Sequence, residues 1–232
     1  MCVNYLPVSR RTLVDTFHAP LQMAAAADWP EEAYQDYLAP LIRHDDHGRR
    51  VALVGSYGMV PKQHIPQGVK RYATLNARAE TVGELRSYSG AWKRGQLCLL
   101  PMEAFYEPNW ETGKHIRYRI GMADKSPFAV AGLYRQWQED DGQASFSFTQ
   151  LTVNADAHPL MKHMHRVDDE KRSLVIVPAD DYDDWLACRN PEAARSFLRL
   201  FPAALMEARP EPKKTARKKA VAPESQVTGS LF

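Results

Sequence analysis

Cysteine is scarce in this chain: Cys2, Cys98 and Cys188 are its only three. A small, odd-numbered and widely spaced set does not make a disulfide framework, so the thiols are expected to be reduced, with a free thiol to explain. No apolar run approaches the roughly 20 residues of a spanning helix. The start MCVNYLPVSRR also lacks the apolar stretch and small-residue cleavage site of a secretory leader. These absences argue against a membrane or secreted protein and set the expectation of a cytoplasmic one. Neither an HExxH segment nor a Cys-x-x-Cys pair is present, and there is no internal repeat. With 44% hydrophobic and 25% charged residues over 232 positions, the chain is too apolar for general disorder and long enough to bury one core.

Charge of either sign is nearly cancelled overall, at +2, yet its distribution is uneven. Residues 207–232 carry six basic side chains against three acidic ones, rich in Pro, Lys and Ala without a burial pattern. This segment is expected to be a disordered basic tail behind a single domain spanning residues 1–206. Within the body, residues 62–94 hold Lys62, Lys70, Arg71, Arg78, Arg86, Lys93 and Arg94 against Glu80 and Glu84, interleaved with Tyr72, Tyr88 and Trp92. Cations mixed with aromatics suit phosphates and stacked bases. The plainer alternative is a solvated helix face with ordinary ion pairs.

Apolar patterning predicts short helices from Ser9 through Phe17 and from Glu31 to Ala39, the latter ended by Pro40. VALVGSYGMVP (51–61) reads as a buried strand, and Ala73 to Tyr88 as a helix or a loop entering one. LCLLPMEAFYE (97–107), HIRYRI (115–120), FAVAGLYRQW (128–137), ASFSFTQLTV (144–153) and RSLVIVP (172–178) read as strands, the third and fourth joined at Asp141-Gly142. Helices are expected over Asp180 to Cys188 and over Pro191 to Leu200, with Asn190 capping the latter. The fold class is therefore α+β, a curved and mainly antiparallel sheet or open barrel with peripheral helices.

The second residue carries the most specific chemistry. Removal of Met1, expected before a small residue, leaves Cys2 with an α-amine and a thiol on adjacent carbons. Both groups are partly deprotonated near neutrality, and together they condense with an aldehyde to a five-membered thiazolidine. A lone thiol gives only a labile hemithioacetal.

Several blocks then follow in a fixed order: YGMVP (57–61), LNARAETV (75–82), LCLLPMEAFYE (97–107), AGLY (131–134), LTVNA (151–155), HPLMKHMHR (158–166) and DEKRS (169–173). Together with Met1-Cys2 they resemble the SRAP family, the SOS-response-associated peptidases and their abasic-site crosslinking relatives, from residue 2 to about 200. The resemblance implies the SRAP fold and covalent capture of abasic sites in single-stranded DNA, by a monomer needing no cofactor or metal. It further implies a cytoplasmic protein, nucleoid-associated when bound to DNA, with strand cleavage as a possible lyase activity. Cys2 corresponds to the nucleophile, Asn76 to a residue holding the N-terminal amine or the sugar, and Glu107 to the catalytic carboxylate. His165 corresponds to the catalytic histidine, whose near-neutral pKa would serve the opening sugar oxygen. Arg78 is matched to a phosphate clamp, and Tyr57, Lys70, Arg71, Arg86 and Thr152 complete the expected DNA contacts. The chain departs from the family at its start, Cys2-Val3-Asn4 where Cys-Gly-Arg is usual. Tyr57 stands for a tryptophan, Ala104 for a glycine and Pro108 for a tryptophan, and His165-Arg166-Val167-Asp168 replaces the frequent His-x-Arg-Met-Pro run. Trp110, two residues on, is the candidate to supply the lost aromatic surface.

Three other readings stay open on the sequence. Cys2 and His165 would suit a cysteine peptidase. His158, His163 and His165, with Cys98, would suit a zinc hydrolase. A noncatalytic single-strand-binding module would not need Cys2 at all.

Overall fold

The computed structural model describes residues 2–22 and 28–213. In chain order its elements are β1 (Tyr5–Pro7), α1 (Arg10–Asp15), β2 (Leu38–His44), β3 (Arg50–Tyr57), β4 (Asn76–Arg78), α2 (Ser89–Lys93), β5 (Leu97–Asn109), β6 (Ile116–Met122), β7 (Phe128–Gln138), β8 (Ala144–Asn154), β9 (Arg172–Leu174), β10 (Ile176–Val177), α3 (Tyr182–Ala187), α4 (Pro191–Ala194) and β11 (Met206–Pro210). β5 pairs with both β2 and β7, so the path β5-β7-β8-β3-β2 returns on itself. The result is a closed five-stranded barrel with extra strands and a few short helices, an α+β fold whose sheet is mainly antiparallel.

The strand period of two sorts side chains to the two faces of this sheet. Cys98, Leu100 and Met102 of β5, with Phe128, Val130, Phe148, Leu41, Leu53 and Tyr57, fill the barrel interior. Leu97 and Leu99, with Ala129, Ala131, Leu133, Leu151 and Ile42, face outward under Leu13, Trp92 and Trp185 of the helices. The local signals act where they are strongest. Ser9 caps α1, its Oγ accepting from Thr12 N, and Asn190 caps α4 ahead of Pro191. Gly142 takes φ +80 in the β7–β8 turn, where a side chain would be strained.

Several elements differ from the sequence reading. Residues 31–39 are not a helix, because Leu38 onward pairs with β3 as β2 and buries Ala39, Leu41 and Ile42. Pro40 is tolerated inside this strand. Tyr57 N–H bonds Tyr37 O, so the ladder bonds fall on alternate positions and Pro40 sits where none is needed. Residues 73–88 hold β4, parallel to β8, where no strand was expected, and the turns after it lead into α2 as the loop alternative had it. Residues 172–178 are two strands, since Val175 crosses over: its N–H bonds Leu151 O and its carbonyl accepts from Ala131 N. β11 pairs with β6 from Met206↔Met122 to Pro210↔Tyr118, so the sheet continues into residues the sequence assigns to the tail. Residues 214–232 of that expected tail lie outside the described residues. Among the described residues no helix is long and apolar enough to cross a membrane.

Candidate active site

β1 runs antiparallel to β5 with Tyr5 opposite Phe105, and Tyr106 N–H bonds Asn4 O. That register carries Cys2 toward the end of β5 where Glu107 stands. Cys2 is buried, at 1% exposure. Its carbonyl accepts Asn76 Nδ2 at 2.7 Å and Tyr57 Oη at 3.2 Å, and its thiol donates to Asn4 O at 3.3 Å. The strand alternation of β4 explains Asn76: Ala77 points into the core, so Asn76 and Arg78 share the opposite face. Tyr57 is fixed by stacking on Phe148 and by an edge contact with Tyr5. Gln150, opposite Asn76 on β8, accepts from Tyr57 Oη at 3.0 Å through Oε1, so the one hydroxyl proton is shared between this oxygen and the Cys2 carbonyl.

Glu107 and His165 form the second half of the site. Glu107 is 3% exposed, and burial raises its carboxyl from 4.5 to about 7, against the opposing pull of the chain's amino-terminal charge. His165 Nδ1 lies 3.5 Å from Glu107 Oε2. The histidine takes φ +65, unusual for a residue with a side chain, and its N–H bonds Pro108 O at 2.6 Å. Burial, then the amino-terminal charge and Lys171, lowers its imidazole to about 4. His165 is therefore neutral at neutral pH, contrary to the near-neutral titration expected from sequence. Burial pushes the Cys2 thiol well up, and the Glu107 charge adds to this, so the resting sulfur keeps its proton.

The expected DNA contacts divide by exposure. Arg78 is half-exposed and pairs with Glu170 at 2.7 Å; Glu170 also pairs with the buried Arg172 at 2.8 Å. Lys70, Arg71 and Arg86 are exposed, Arg71 pairing with Asp36. Tyr57 and Thr152 do not face solvent. Tyr57 instead grips the Cys2 carbonyl. The Thr152 hydroxyl lies 3.4 Å from Ala77 O, and its Oγ1 and main-chain carbonyl both accept from Arg172 Nη2. Beside His165, a shallow cavity of about 320 Å³ is lined by Pro108, Trp110, His115, Arg166 and Asp169, with the Arg166 guanidinium over the Trp110 ring. The histidines of the zinc reading are committed separately. His158 Nδ1 accepts from Leu160 N and Met161 N while Nε2 faces Phe201 O, and His163 pairs with Glu111. Sequence reasoning gave no role to Gln150, Glu170 or Arg172, although Glu170 and Arg172 belong to the DEKRS block; Gln150 and Arg172 sit on β8 and β9, and Glu170 in the loop before β9.

The family model for SOS response associated peptidase (SRAP) matches residues 1–216. The chain belongs to the SRAP family. Curated SRAP relatives include abasic site processing protein YoqW of Bacillus subtilis, 31% identical over 140 residues, which are 59% of this chain and 59% of that protein. Abasic site processing protein HMCES of Xenopus tropicalis is 26% identical over 47% of this chain and 39% of that protein. This chain thus spans less than two-thirds of the length of the curated relatives it matches. The crystal structure of a Bordetella bronchiseptica protein superposes with TM-score 0.80 at 32% identity, covering 91% of this chain and 100% of that one. A Bacteroides thetaiotaomicron structure shares the fold, at TM-score 0.69 and 21% identity over 89% of this chain and 90% of that one. Both curated relatives are named abasic site processing proteins.

Proposed function

We propose that this SRAP protein captures abasic sites in single-stranded DNA as a thiazolidine built on Cys2 after Met1 is removed, shielding the lesion. The observation that carries this reading is the grip of Asn76 and Tyr57 on the Cys2 carbonyl beside Glu107, a carboxyl held near 7.

The Cys2 amine adds to the C1′ aldehyde of the ring-opened sugar, forming the C–N bond. Protonated Glu107 gives its proton to the departing hydroxyl, water leaves, and an iminium remains. The thiol then passes its proton to the Glu107 carboxylate as sulfur bonds C1′, which closes the ring and returns Glu107 to its acid form. One carboxyl with a pKa near neutrality serves both steps. A thiol held protonated by burial needs such a base. Neutral His165 offers the freed sugar hydroxyl a hydrogen bond without carrying charge. Arg78, Lys70, Arg71 and Arg86 supply phosphate contacts. The protein acts as a monomer on cytoplasmic DNA and needs no cofactor.

A Cys2–His165 peptidase requires a thiolate and an imidazolium. Burial moves both groups the other way, the thiol up and the imidazole down. The test is incubation with a single-stranded oligonucleotide bearing one abasic site, resolved on a denaturing gel. A shifted band is expected for wild type and not for Cys2→Ala; equal yields in both sink the proposal.

A further inference from the structure

Asn4 stands where the family usually has arginine, and it is buried. Its carbonyl accepts the Cys2 thiol at 3.3 Å and Tyr106 N–H at 3.2 Å. Its side-chain amide donates to Glu32 Oε2 at 2.9 Å. The same carboxylate oxygen accepts Tyr34 Oη at 2.6 Å and Arg117 Nη2 at 2.8 Å, so three donors converge on it. Arg117, 12% exposed, lies over the Tyr106 ring with its guanidinium carbon 3.2 Å from the centroid. Tyr106 Oη in turn bonds Glu211 Oε1 at 2.9 Å, and Glu211 N–H bonds Arg117 O at 2.8 Å. The cluster ties β1, residues 32–34, β5, β6 and the end of β11 together immediately behind the nucleophile.

We infer that Asn4, Glu32 and Arg117 are positioning residues for the Cys2 nucleophile: the Glu32–Arg117 pair locks the Asn4 side chain, which aims the Asn4 carbonyl at the Cys2 thiol. A long arginine at position 4 would have to leave this spot; the short amide lets the guanidinium enter from β6 instead. The arrangement is mostly withdrawn from water, where a charge-assisted hydrogen bond holds geometry better than a solvated pair does. Because three donors share one oxygen, removing any member loosens the others. None of the three side chains has to touch DNA for this role, which separates it from a phosphate contact. The inference rests on the proposed crosslinking reaction for its rate effect, but not for its effect on the thiol itself.

Two readouts are taken on Asn4→Ala, Glu32→Gln, Arg117→Ala and Arg117→Lys. The first is the crosslinking rate at saturating abasic single-stranded DNA, beside affinity for a strand carrying a tetrahydrofuran analogue that cannot open. Rates should fall about tenfold in the first three variants, with affinity within about twofold, since misorientation costs rate rather than binding. Arg117→Lys keeps the charge opposite Glu32 and should recover part of the loss. The second readout is iodoacetamide labelling, mapped by peptide mass. Cys2 labelling should rise several-fold as the thiol is released, while the fully buried Cys98 stays unlabelled. Unchanged rate together with unchanged Cys2 labelling overturns the inference. So does Cys98 labelling that rises in step with Cys2, which means general loosening. A wild type that forms no conjugate refutes the crosslinking proposal, and the labelling arm then decides the positioning role alone.

Discussion

Glu107→Gln separates the two buried groups of the site. Raising the Glu107 carboxyl from 4.5 to about 7 means that ionising it costs the folded protein about 3 kcal/mol. Its contribution to stability is complete below pH 4.5 and is lost as pH rises toward 7. His165 runs the opposite way: its pKa is lowered to about 4, so its contribution is complete above its ordinary 6.5 and is lost as pH falls toward 4. Between pH 4.5 and 6.5 the two slopes oppose each other in the wild type. Glutamine has the shape of the protonated carboxyl and no charge to lose. Urea denaturation should therefore give near-equal stabilities for wild type and variant at pH 4.5, and a variant more stable by up to about 3 kcal/mol at pH 8. Over pH 4–6.5 the variant should gain stability with pH, the His165 slope unmasked. Crosslinking should change in the other direction, losing two or more orders of magnitude together with the fall in rate expected as Glu107 gives up its proton through pH 7. A variant less stable than wild type at pH 8, or one that keeps the wild-type rate profile, refutes the assignment of Glu107 as a buried, near-neutral acid and base.

Asn76→Ala removes the 2.7 Å bond to the Cys2 carbonyl and should slow crosslinking strongly while costing about 1 kcal/mol of stability, read by crosslinking kinetics and urea titration. Arg78→Ala should lower crosslinking at low and moderate salt alike and reduce the salt slope of DNA binding by about one, measured by fluorescence anisotropy. Truncation after Lys213 should leave crosslinking of a short oligonucleotide intact, whereas truncation after Leu205 removes β11 and Glu211 and should lower both melting temperature and rate. Cys98→Ala and Cys188→Ala should both still form the conjugate on a denaturing gel, because neither thiol adjoins a free α-amine.

The barrel strands were legible because their signals are strong and local. β5, β7 and β8 are long runs of apolar and aromatic residues, and Asp141-Gly142 has a turn chemistry few other dipeptides share. β2 and β4 were not legible. The Pro40 that seemed to end a helix sits inside a strand, because register places it at a position without a ladder bond. The NAR segment of β4 is three residues long, and its identity as a strand depends on β8, more than seventy positions away. In the site, Cys2, Asn76, Glu107 and His165 came from ordered motifs, and the fold gathers them around the end of β5. Tyr57 and Thr152 were expected at DNA because composition cannot tell an exposed polar group from a buried one. Their partners, the Cys2 carbonyl and Arg172, are fixed by tertiary pairing. The depressed pKa of His165 was equally invisible, since it follows from burial and not from the residue's neighbours in sequence.

The central claim is that one residue supplies both nitrogen and sulfur to the lesion. The most direct measurement is the intact mass of the conjugate formed with a single-stranded oligonucleotide carrying one abasic site, followed by peptide mapping of the attachment. The account predicts the chain without Met1 plus the strand less one water, joined at Cys2. A conjugate that retains Met1, or one attached through a lysine, Cys98 or Cys188, would contradict it.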